Sequence, residues 1–166
     1  MQPLYDHDLQ LIRSSRKNDT SSSGAIPEEE QAALAALAEE HRTVPIVLPG
    51  FRNTSFYPAM LQKTKNMMLN YYQIDAFTRH TVSLLEENGI SCILLKGISL
   101  AACYPVPEYR KLGDLDLYIN EPDAFENALV LLEAQGYREE KELSDHHVTY
   151  RYTFPKTGRS FLLELH

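Results

Sequence analysis

A chain of 166 residues, 43% of them hydrophobic, is long enough for one ordinary domain, or a small domain with a helical attachment, and apolar enough to bury a core. Its formal charge of −7, from 16 basic and 23 acidic residues, excludes loose electrostatic binding to nucleic acid or to an anionic membrane over the whole surface. No apolar run approaches the roughly 20 residues that span a bilayer, and the start MQPLYDHDLQ has neither part of a secretory signal, so a soluble cytoplasmic protein is expected.

Residues 4–14 read as a short helix and KNDTSSSGAIP, 17–27, as a polar linker too poor in apolar residues to pack. In PEEEQAALAALAEEH, Pro27 stands at a first helical position with acids in the first turn, which predicts a helix to about His41. VPIVLPGFRNTSFYP is broken by Pro45, Pro49, Gly50 and Pro58 and reads as an apolar connector. Met67, Tyr71, Ile74, Phe77, Thr81 and Leu84 then recur at steps of three and four. That spacing predicts one long amphipathic helix over 59–88, capped by Gly89.

From residue 90 the period changes. ISCILL, 90–95, reads as a buried strand, KGISLAACY as a glycine turn feeding a short helix that Pro105 ends, and LDLYI, 115–119, as a second strand. EPDAFENALVLLEAQG predicts a helix with Phe125, Ala128, Leu129 and Leu132 on one face. HHVTYRYTF and SFLLELH read as two closing strands around the turn PKTG. The domain expectation is an N-terminal helix and linker over 1–26, a helical region over 27–88 and an α/β core over 89–166. Cys92 and Cys103 lie among apolar neighbours and in no C-x-x-C pair, so both read as buried thiols.

The unusual feature is RKLGDLDLYIN, which sets Asp114 and Asp116 inside a strand pattern. Alternation sends Leu115 and Leu117 to the core and both carboxylates to the opposite face. Two like charges so close persist if both face water or if a cation sits between them, and Mg²⁺ takes oxygen ligands from one or two carboxylates together with substrate phosphates. Taken alone, such a pair is more commonly the solvated face of an edge strand, and the motif by itself decides little. LLKGISL places Lys96 and Gly97 at a strand-to-helix junction, where backbone N–H groups and an ammonium can hold phosphate oxygens. Glu164 in FLLELH faces away from Leu163 and Leu165, a third carboxylate on a later strand.

Taken together, LLKGISLAACYP, RKLGDLDLYI, the helix after it, HHVTYRY and LLELH resemble the nucleotidyltransferase superfamily related to DNA polymerase beta, in particular its bacterial family of uncharacterised nucleotidyltransferases. The resemblance implies an α+β fold in which an N-terminal helical region packs on a small mixed β-sheet of nucleotidyltransferase type. It implies transfer of a nucleoside monophosphate from an NTP such as ATP to an acceptor hydroxyl, with pyrophosphate released. By it, Asp114, Asp116 and Glu164 are the catalytic and metal-binding carboxylates for Mg²⁺ or Mn²⁺, and Lys96 and Gly97 meet the nucleotide phosphates. Glu164 would ligate the ion that activates the acceptor and take up its proton. Superfamily members usually have Gly followed by Gly or Ser where this chain has Lys-Gly. They also commonly continue into further helices, so a fragment or a minimal version is the expectation here.

Arg110 is a further nucleotide-binding candidate, because Arg pairs bidentately with phosphate oxygens. His146 and His147 have opposite facings, so at most one reaches the site. Tyr150 and Tyr152 share a face and read as packing residues. The acceptor is open among a protein side chain, a small metabolite, a sugar phosphate and an RNA end. Two other readings are a catalytically inactive fold that binds a nucleotide or a protein partner, and a divalent-metal site made by His146 or His147 with Glu164 and His166.

Overall fold

The structure, a computed structural model, describes residues 26–140 and 147–166. The helix expected over 4–14, most of the linker after it, and His146 lie outside the described residues. The described residues divide into two units, one comprising 26–70 and 104–111 and the other 71–103, 112–140 and 147–166.

In the first unit, α1 (Glu28–Glu40) follows Pro27 and carries Glu28, Glu29 and Glu30 in its first turn, where the helix dipole favours negative charge. It ends in a Schellman cap. Thr43 N–H donates to the Ala38 carbonyl at 2.8 Å and Arg42 N–H to that of Glu39 at 3.2 Å, with Arg42 at φ +58° where glycine is usual. The proline-punctuated connector forms α2 (Val44–Val47) and a 3₁₀ turn (Leu48–Phe51). Leu34, Ala35, Ala38, Val44, Val47, Phe51 and Met60 close a small core. Helix α3 (Tyr57–Glu87) starts in this unit and ends in the second.

The second unit holds a five-stranded sheet. Its strands are β1 (Ile93–Leu95), β2 (Leu115–Tyr118), β3 (Arg138–Glu140), β4 (Val148–Thr153) and β5 (Ser160–Leu165), in the spatial order β1-β2-β5-β4-β3. β2 and β5 run parallel and all other neighbours antiparallel, so the sheet is mixed and the architecture is α+β. Between strands lie the five-residue α4 (Gly97–Ala101) and α5 (Pro122–Ala134). Leu115, Leu117, Leu163, Leu165 and Tyr150 form one face of the sheet and are buried with Phe77 and Leu85 of α3 and Ala128 and Leu132 of α5. Phe77 is the centre of an aromatic group, with ring centroids 5.2 Å from Phe161, 6.1 Å from Tyr152 and 6.3 Å from Tyr137.

Three details depart from the expected pattern. β1 begins at Ile93 rather than at residue 90 because Ile90 N–H donates to the Leu85 carbonyl at 2.9 Å, completing the cap that Gly89 makes on α3 at φ +75°. β3 was not expected at all, since Arg138, Glu139 and Glu140 show no apolar alternation. It forms as an edge strand whose backbone pairs with β4 and whose Glu140 accepts an ion pair from Arg151. Cys103 is exposed, correcting its expected burial: the turn after α4 buries Ala101 and carries Cys103 outward. Cys92 is half-buried, and its thiol is pushed up first by burial and then by Glu86.

Phe77→Ala is expected to cost about 3–5 kcal/mol of unfolding free energy, because the aromatic group cannot collapse into the space left. Urea denaturation followed by circular dichroism measures it, and a loss under about 1 kcal/mol would show that the group is not the core of this unit.

Candidate active site

The face of the sheet opposite the leucines carries the carboxylates. Asp116 lies between two fully buried neighbours, Leu115 and Leu117, so the two-residue period turns its side chain to the other side. Parallel pairing of β2 with β5 then sets Asp116 directly opposite Glu164, while β4 sets Thr149 opposite Glu164 from the far side. Asp116 is 4% exposed. A carboxylate so enclosed needs compensation. Lys96 Nζ donates to Asp116 Oδ1 at 3.0 Å, and His166 Nε2 lies 3.6 Å from the same oxygen.

Asp114 precedes β2 and is half-buried. Its charge reaches both Glu164 and Lys96. Burial is the first cause that raises the Glu164 carboxyl above its ordinary range, followed by the charges of Asp114 and Asp116, against a smaller opposing pull from His147. The Lys96 ammonium is held above its usual value first by its hydrogen bond to Asp116 and then by that carboxylate's charge. The three expected carboxylates and the expected lysine are therefore brought together electrostatically.

The junction between β1 and α4 explains how Lys96 gets there. Lys96 has φ +38° and ψ −133°, a conformation that residues with a Cβ rarely adopt, and Gly97 follows at φ +26°. A Cβ at position 97 would lie 3.5 Å from the Asp114 carbonyl and 3.9 Å from Asp116 Oδ2, so the turn runs directly against the D-x-D segment. Arg110 belongs to the first unit, where its guanidinium donates to the Tyr104 hydroxyl at 3.2 Å and lies 5.6 Å from the centre of that ring.

Two histidines join the group. His166, two residues after Glu164 and so on the same face, has Nε2 at 3.7 Å from Glu164 Oε2, and the rings of His147 and His166 are 5.1 Å apart. Ligand atoms of His147, Glu164 and His166 all lie within 4.8 Å of one another. Thr149 was missed from sequence. Its signal was the alternation of VTYRYT, which puts it on the carboxylate face with Tyr150 on the core face.

A family model described as an uncharacterised nucleotidyltransferase matches residues 27–166, more than half of the chain. The chain belongs to this family. No curated protein matches it. Membership makes a nucleotide the substrate class of this nucleotidyltransferase, and nucleotidyltransferases generally use divalent metals. Among the described residues, no helix is long and apolar enough to cross a membrane.

Because the fold raises the proton affinity of Glu164, ionised Glu164 costs stability above its folded-state pKa, and that cost disappears as pH falls and the proton is taken up. Glu164→Gln in chelator-treated protein is accordingly expected to be more stable than the native sequence at pH 8, with the advantage shrinking as pH falls toward 4.5. Urea midpoints across that range check it; a destabilised variant at pH 8 would contradict the assigned repulsion.

Proposed function

We propose that this nucleotidyltransferase transfers a nucleoside monophosphate from an NTP to an acceptor hydroxyl. The acceptor oxygen forms a bond to the α-phosphorus, the bond to the bridging oxygen breaks, and pyrophosphate leaves with that electron pair. The observation that most supports this reading is the pairing of Asp116 with Glu164 across parallel strands, with Asp114 electrostatically coupled to both Glu164 and Lys96.

The donor set fits a hard dication. Three carboxylates offer oxygen ligands, and the proton affinity of Glu164 is raised first by burial and then by the charges of Asp114 and Asp116, a repulsion that a cation relieves. Asp114, Asp116 and Glu164 would hold Mg²⁺ or Mn²⁺. Bound there, the metal neutralises triphosphate charge and polarises the attacking and leaving oxygens.

The chain's own groups do the rest. Lys96, whose ammonium donates to Asp116 Oδ1 at 3.0 Å, would offset the phosphate charge. Gly97 would meet phosphate at the turn, and because α4 has five residues the contact would rest on loop amides and Lys96 more than on a helix dipole. Glu164, with its raised proton affinity, would accept the hydroxyl proton. No covalent intermediate is needed, since positioning and electrostatics carry such transfers. In this reading residues 27–88 form a helical region, 89–166 the transfer core, and the reaction is cytoplasmic, with the acceptor a protein, a small metabolite, a sugar phosphate or an RNA end.

Asp114→Asn and Asp116→Asn are each expected to lower pyrophosphate release by about 10²-fold or more, as removal of a group that stabilises transition-state charge does. The assay takes each of the four NTPs with Mg²⁺ and a panel of acceptors, and melting curves show that the variants remain folded. Turnover at the native rate in either variant overturns the reading.

A further inference from the structure

β5 places Glu164 and His166 two residues apart on one face, and its antiparallel pairing with β4 sets Val148 opposite Leu165, which brings the preceding His147 beside His166. The result is two imidazoles and a carboxylate whose ligand atoms lie within 4.8 Å of one another, with His166 Nε2 and Glu164 Oε2 already at 3.7 Å. Ligands about 2.0–2.2 Å from one dication stand about 3–3.5 Å apart, so modest side-chain rotation closes the set.

A second observation points to a ligand here. His166 Nε2 is shut off from solvent and makes no hydrogen bond, its nearest carboxylate oxygens standing at 3.6 Å on Asp116 and 3.7 Å on Glu164. Thr149 Oγ1, on a residue 4% exposed and paired with Glu164 across the sheet, is in the same state. Buried polar atoms left unpaired cost about 1–3 kcal/mol each, and native folds rarely leave two on one patch of surface without something to bind them.

We propose that His147, Glu164 and His166 form a binding site for a transition-metal dication of the Zn²⁺ or Co²⁺ type. The chemistry of the donors decides the class. Imidazole nitrogens suit Zn²⁺ and its neighbours in the first transition row, whereas Mg²⁺ takes oxygen and keeps its waters. Three protein ligands leave a position for water or for an oxygen of a bound molecule. The site shares Glu164 with the carboxylate set but differs from it by two nitrogens, and it does not depend on nucleotide turnover.

The test uses the full chain purified without a polyhistidine tag, titrated with Co²⁺ in the absence of nucleotide. One Co²⁺ per chain is expected, with visible d–d absorption, displacement by equimolar Zn²⁺ and persistence in millimolar Mg²⁺. His147→Gln and His166→Gln are each expected to weaken Co²⁺ binding by about 10-fold or more, with His146→Gln leaving it within about threefold. X-ray absorption of the Zn²⁺-loaded native chain counts imidazole ligands directly, so the proposal stays falsifiable if a histidine variant fails to fold. Co²⁺ binding no tighter than Mg²⁺, or an oxygen-only spectrum, overturns it. So does binding that survives both His147→Gln and His166→Gln, or that is lost in His146→Gln instead. Failure of NTP turnover with Co²⁺ binding intact would count against the transferase reading alone.

Discussion

The parallel pairing of β2 with β5, which sets Asp116 opposite Glu164, is the constraint on which the rest of the second unit depends. Two ionised carboxylates at the roughly 4.8 Å spacing of neighbouring strands would repel by on the order of 3 kcal/mol at an effective dielectric constant near 20. The pairing survives because the same register drives Leu115, Leu117, Leu163 and Leu165 into the opposite face, each 0% or 1% exposed. Burying such a side chain is worth about 1.5–3 kcal/mol, so four of them outweigh one repulsion. The core therefore holds in place an electrostatic arrangement that would not assemble by itself.

Lys96 is the local answer to that repulsion, and its backbone shows what placing it requires. At φ +38° the residue sits in a region that costs a side-chain-bearing residue about 1–3 kcal/mol. What the strain secures is an ammonium 3.0 Å from a carboxylate that is otherwise enclosed. The neighbouring Gly97, also at positive φ, lets the turn pass close to the D-x-D backbone. Strain, glycine and buried charge coincide at one corner of the sheet, the pattern expected where binding or chemistry is carried out.

Much of this was legible in local pattern. The 3.6-residue period predicted α3 and α5 nearly to their ends, and Pro27 with its following acids located the start of α1. The facing of Asp116 and Glu164 followed from their leucine neighbours, and Tyr150 packs as its alternation implied. Other features were not legible for identifiable reasons. β3 is held by backbone pairing at an edge, which leaves no hydrophobic signature. Ile90 looks like the first residue of a strand, yet its amide is committed to a helix cap that only the path of α3 reveals. Cys103 has the neighbours of a buried thiol, but it is the direction of a turn that exposes it.

By itself the sequence determined which face each strand residue takes, because alternation is a property of one strand and its nearest neighbours. It thereby turned Asp116 and Glu164 away from the leucine core, whereas Asp114 precedes β2 and no alternation fixes its side. Strand order, the parallel direction of β2 against β5 and the register of β4 are long-range choices made by packing, and only the tertiary structure decided them. Those choices put Asp116 against Glu164, stand Thr149 behind it and bring His147, not merely one histidine of an adjacent pair, to the ring of His166.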